Sequence, residues 1–242
     1  MKKFVPMVLS GALAIALVAC GGNSAQNQTQ ESTPTEATQV VGGWTVETGA
    51  VQSTLTEKAQ SIFESAIAEQ VGVTYTPVAV LGTQVVAGTN YAFLCQGTTA
   101  TADPQTGWYI VEVYNDLEGK SSVLAINELD PTAIKVAGSS DTGDVMGGWE
   151  ILEAAGTEAK TDEASKALAA ASETFVGVDL KPIAHLASQL VSGNNYLFLC
   201  SGTTTSPTSG TELYAVEVYQ PLEGDASITN TQLVDLTAYL AQ

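Results

Sequence analysis

The chain contains no arginine, one histidine, three cysteines and three methionines among its 242 residues. Without arginine it has no planar fork to clamp a phosphate or carboxylate with two parallel hydrogen bonds. Cations of any kind are scarce: eight lysines stand against 26 acidic residues, a formal net charge of -18. Such a surface repels nucleic acid, whose binding rests on Lys and Arg at phosphates. The lone histidine, His185, leaves no ligand set for zinc. The cysteines, Cys20, Cys95 and Cys200, are too few for a disulfide framework. Glu112 and Glu217, one carboxylate in each of two strand-like segments, read as solvent-face residues and not as an acid–base pair. Phosphate loops and dinucleotide fingerprints are missing too. The chain is therefore expected to be no enzyme, with no catalytic residue, no cofactor and no metal. What is present is enough apolar material for a real core, 45% of residues against 14% charged. The acidic surface suits solubility or the steering of a basic partner.

The N-terminus reads as an address. Lys2 and Lys3 precede a mostly apolar stretch from Phe4 to Val18 that is too short and too broken for a transmembrane helix. It ends in Leu17-Val18-Ala19-Cys20, which resembles the lipobox of bacterial lipoproteins. The resemblance implies a lipoprotein signal peptide over 1–19 and a diacylglycerol on Cys20. The protein would then be exported and lipid-anchored to the bacterial membrane, at the cell surface. Acyl chains anchor without spanning. Residues 20–39 are Gly, Asn, Ser, Gln, Thr, Glu and Pro with almost nothing apolar, which reads as a disordered, lipidated tether. About 20 such residues reach on the order of 25 Å.

Beyond the tether the sequence repeats itself at an offset of 105 positions without a gap. Gly42-Gly43-Trp44 recurs as Gly147-Gly148-Trp149. Gln84-Val85-Val86-Ala87-Gly88 recurs as Gln189-Leu190-Val191-Ser192-Gly193. Phe93-Leu94-Cys95 recurs as Phe198-Leu199-Cys200, Val111-Glu112-Val113-Tyr114 as Val216-Glu217-Val218-Tyr219, and Leu117-Glu118-Gly119 as Leu222-Glu223-Gly224. This predicts two tandem domains, 40–137 and 145–242, joined by a polar linker over 138–144.

Within the first copy, Ala59, Ile62, Phe63, Ala66 and Ile67 fall on one helical stripe. Thr54 with Glu57 fits a capping box for a helix over Thr54 to Gln70. Ala164, Leu168, Ala171 and Phe175 repeat the spacing in the second copy. Gly72 and Gly177 are placed to end the two helices. Strand signals follow at Tyr75 to Val86, Tyr91 to Cys95, Trp108 to Tyr114 and Ser121 to Ile126, with Ala87-Gly88-Thr89-Asn90 as turn chemistry. The expected fold class is α+β: two tandem domains, each one helix packed on an antiparallel β-sheet of four to five strands. Cys95 and Cys200, at equivalent strand positions, read as buried thiols acting as small hydrophobes.

The order of Gly-Gly, helix, Gln-x-Val-x-Gly and a following Asn-Tyr strand resembles the cystatin family, in both copies. The resemblance implies a membrane-tethered, non-covalent inhibitor of papain-like cysteine proteases. Each copy would present a wedge of an N-terminal trunk and two hairpins. In the first copy these residues are Val40, Val41, Gly42 and Gly43, then Gln84, Val85, Val86, Ala87 and Gly88, then Leu117, Glu118 and Gly119. In the second they are Val145, Met146, Gly147 and Gly148, then Gln189, Leu190, Val191, Ser192 and Gly193, then Pro221, Leu222 and Gly224. The family's second hairpin often carries Pro-Trp at its tip. This chain has no tryptophan there and adds Glu118 and Glu223. The alternative is a non-inhibitory cell-surface protein-binding or structural module. The expected partner is a papain-like cysteine protease or another extracellular protein, with no nucleic acid, and with membrane contact through the lipid alone.

Overall fold

The computed structural model describes residues 43–46, 55–131, 133, 148–152, 162–204 and 210–241. The leader, Cys20, the tether, the linker 138–144 and the trunk residues Val40, Val41, Gly42, Val145, Met146 and Gly147 lie outside the described residues.

In the first copy, β1 (Trp44–Val46) is followed by α1 (Glu57–Ile67) and then by β2 (Val73–Val86), β3 (Gly88–Thr99), β4 (Thr106–Asn115) and β5 (Ser121–Leu129). The second copy repeats this with β6 (Glu150–Ile151), α2 (Asp162–Thr174), β7 (Val178–Val191), β8 (Gly193–Thr204), β9 (Thr211–Pro221) and β10 (Ser227–Val234), then a 3-10 turn at Leu236–Tyr239. Each copy forms one five-stranded sheet in sequence order, with every paired neighbour antiparallel.

α1 starts later than its capping-box signal. Thr56, not Thr54, is the N-cap, its hydroxyl accepting from Ala59 N at 3.1 Å. Ala59, Ile62 and Phe63 point into the sheet, and Phe63 meets Phe93 edge-on with ring centroids 5.1 Å apart. The core under α1 also takes in Cys95, Val111 and Val113. Under α2, smaller residues do the same work: Ala164, Ala167, Leu168 and Ala171 pack on Phe198, Cys200, Val216 and Val218. Cys95 and Cys200 are thus buried and form no disulfide.

The other face of each sheet is not solvated. Leu81, Leu94, Trp108, Ile110 and Leu129 of the first sheet join Leu186, Leu197, Leu199, Leu213 and Ala215 of the second in one continuous core. Trp108, 1% exposed, donates its indole N–H to the Leu186 carbonyl at 3.0 Å, and Gln96 Nε2 donates to the Leu152 carbonyl at 2.5 Å. Trp44 and Trp149 pack half-buried against this core. Leu236 and Leu240 complete it, Asn127 Nδ2 donates to the Tyr239 carbonyl at 2.8 Å, and Ala241 N donates to a Glu112 carboxylate oxygen at 2.6 Å.

This corrects the expected fold class. The chain is mostly β, ten strands against two helices among the described residues, and it is not an α+β pair of tandem helix-on-sheet domains. Thr38–Gln242 is one compact unit whose two sheets share a core. The physical reason lies in the strands. Ala92, Phe93, Leu94 and Cys95 are all buried in succession, and only a strand covered on both faces hides consecutive side chains. Glu112 corrects the solvent-face reading in the same way: it is 2% exposed, on the face turned to the second sheet, and Ala241 N supplies its hydrogen bond.

Candidate functional site

One end of each sheet gathers segments that are far apart in sequence. The register Trp44 with Gln84 starts β1 near the tip of the β2–β3 hairpin and puts Gly43 next to it. In that hairpin Val85 pairs with Thr89, and the chain reverses through Val86, Ala87 and Gly88. Thr89 pairs in turn with Asn115, so the turn after β4, Asp116 to Lys120, lies beside the first tip. The second copy brings Gly148, Leu190 to Gly193 and Pro221 to Gly224 together by the same register. The described members of both expected wedges therefore converge, each set on its own sheet end.

Two side-chain contacts fix each first hairpin. Asn90 Nδ2 donates to Gln84 Oε1 at 2.8 Å, and Asn195 Nδ2 to Gln189 Oε1 at 2.8 Å. Tyr114 Oη donates to the Ala87 carbonyl at 2.5 Å and Tyr219 Oη to the Ser192 carbonyl at 2.6 Å, tying β4 and β9 to the tips. Glycine is required at both tips: Gly88 has φ +130° and Gly193 φ +128°, and a Cβ on either would run into the carbonyl oxygen of Asn115 or Gln220. Asn90, Asn195, Tyr114 and Tyr219 are positioning residues outside the expected wedge set. Their signal was the recurrence of Asn six places after the motif Gln, and of Tyr two residues before the second turn.

The second turns reach similar shapes by different chemistry. Asp116 Oδ1 accepts from Glu118 N at 2.9 Å and from Lys120 N at 2.8 Å. In the second copy proline replaces that aspartate, and Gln220 Nε2 donates to the Gly224 carbonyl at 3.1 Å. Apolar side chains crown both ends: Leu117 and Leu222 are 85% and 83% exposed, Leu190 is 70% exposed, and Val86 and Val191 are exposed beside them. A groove of about 470 Å³ borders the second end, between Ala167 and Ala170 of α2 and Pro221 and Leu222.

Other reactive groups lie away from these ends. His185 is fully buried, stacked on Phe198 at 4.8 Å, with Nε2 3.0 Å from the Ala187 carbonyl and 3.1 Å from Ser188 Oγ. Burial pushes its pKa down to about 4, partly offset by the Ala187 contact, so the ring is neutral near pH 7. Burial pushes the Cys95 thiol well above its ordinary value, the reverse of what a nucleophile needs. Burial also raises Glu112, against the opposing Ala241 hydrogen bond, and raises Glu217. Among the described residues no helix is long and apolar enough to cross a membrane. Nor does any group of three His, Cys, Asp or Glu among them come together to hold a metal ion.

No protein-family model matches the chain. No curated protein matches it at a significant level.

Proposed function

We propose that the protein is a non-enzymatic binding protein that inserts the hairpin ends of its sheets into a cleft, and that the cleft is that of a papain-like cysteine protease. The observation that carries this reading is the convergence, twice in one chain, of the trunk glycine and two hairpins. Gly43, the Val86 to Gly88 tip and the Leu117 to Gly119 turn lie together at one end of the sheet, with Val86 and Leu117 exposed there. Turns already fixed by Tyr114, Asn90 and Asp116 lose little freedom on docking. Inhibition would be steric: the wedge fills the cleft and leaves the catalytic thiol unmodified. The Leu17 to Cys20 sequence supports a lipid tether that holds the wedge at the surface of a bacterial membrane.

Titration of papain activity with the unit Thr38–Gln242 tests this, alongside a Val85→Asp/Leu190→Asp variant. The expected result is nanomolar inhibition that the double variant weakens at least 100-fold. Papain whose thiol is carboxymethylated should still be bound. Full peptidase activity at micromolar protein would remove the inhibitor reading. The charged turns, with Glu118 and Glu223 exposed beside the leucines, favour a second reading in which the same ends bind another surface protein without inhibition.

A further inference from the structure

The two ends are built on one register but are not chemically alike, and several of the differences between the copies fall on the docking surface. Where the first copy has Val85, half-buried, the second has Leu190, 70% exposed and longer by one methylene. The neighbouring valines, Val86 and Val191, are exposed alike, so the difference at this tip is that of Val85 and Leu190. At the second turn the first copy must present Asp116, because its carboxylate holds the turn through Glu118 N and Lys120 N. The second copy has Pro221 there and leaves the same task to Gln220. A carboxylate carried into an apolar cleft must be desolvated, whereas a proline need not be and also stiffens the turn. Behind the turn, Ala167 stands where the first copy has the larger Ile62, and with Ala170 it lines the groove that Leu222 borders.

We infer that the protein is a two-ended binder with unequal ends: the second copy, through Leu190, Pro221 and Leu222, is the tight end for an apolar cleft, and the first is the weak one. This rests on the wedge reading above. The extra apolar area is available before binding and the extra rigidity is already present, so both act on affinity directly. A single methylene seated in an apolar pocket changes affinity by about tenfold or more.

Calorimetric titration of papain into the unit Thr38–Gln242 reads the two ends separately. The expected result is two sites whose dissociation constants differ at least tenfold. Leu190→Asp should remove the tight site and Val85→Asp the weak one. Leu190→Val should weaken the tight site about tenfold, and Val85→Leu should strengthen the weak one. These side chains lie at the tips, so matched urea midpoints for all variants verify that the fold is kept. Equal sites, or a tight site lost with Val85→Asp, would overturn the inequality while leaving the wedge intact. No binding at either end would overturn both.

Discussion

His185 stands where the first copy carries Val80, and the two strands tolerate the exchange because the imidazole is stacked like an aromatic and stays neutral. Neutrality has a consequence for stability. The folded ring titrates at about 4, the unfolded one near its ordinary 6.5. Above pH 6.5 neither form is protonated and the contribution is complete. Between 6.5 and 4 the unfolded chain takes up a proton that the folded chain refuses, so stability falls as pH falls. The loss by pH 4 is on the order of 3 kcal/mol. Glu112 and Glu217, raised by burial, act with the opposite sign: the folded state holds their protons more tightly, and their contribution is lost as pH rises through their folded values. Urea unfolding of wild type and His185→Val across pH 4 to 7 isolates the histidine. The difference in stability between the two should change by about 3 kcal/mol over this range. A constant difference would mean that the ring is not held neutral.

At the scale of the element, the hairpin tips depend on one backbone geometry. Gly88→Ala places a methyl against the Asn115 carbonyl at φ +130°, and is expected to cost about 1–3 kcal/mol. Amide exchange should accelerate at Val86 and Thr89 but not at Leu94. An unchanged melting temperature would show that the tip has another conformation open to it. These hairpins were legible in the sequence because turn glycines and β-branched runs recur at one offset, while the placing of Gln84 to Gly88 beside Leu117 to Gly119 rested on the resemblance to the cystatin family. The helix start was less so. Thr54 and Thr56 both precede Glu57, and the box spacing favours Thr54, yet tertiary placement of Ala59 and Phe63 selects Thr56, which has no reciprocal glutamate at its third position. Glu112 was misleading for a related reason. An acidic residue in an alternating strand ordinarily marks the wet face. Here its partner, Ala241 N, lies 129 positions away, beyond the reach of any local pattern.

For the whole molecule, the shared core was written in the strands but needed a partner to be read. Leu94, Trp108 and Ile110 are apolar on the face that a lone helix-on-sheet layer would expose, while Ala92 to Cys95 gives an unbroken apolar run without saying what covers it. A single copy produced alone would bare that face. The fragment 145–242 is therefore expected to self-associate through it, as a dimer or larger species by light scattering, while Thr38–Gln242 stays monomeric and unfolds in one cooperative transition. A stable monomeric fragment would mean that the joint between the sheets is dispensable. That joint also bears on how the chain can vary over generations. In a dimer of identical subunits every replacement appears on both sides of the axis at once. Here the two sides are encoded separately: Trp108 reaches the Leu186 carbonyl, while its counterpart is Leu213 and the counterpart of Leu186 is Leu81. A bulky ring is accommodated once, with no twin to fit. Duplication within one gene thus releases the two halves from having to change in step, and leaves each sheet end free to be selected against a different target.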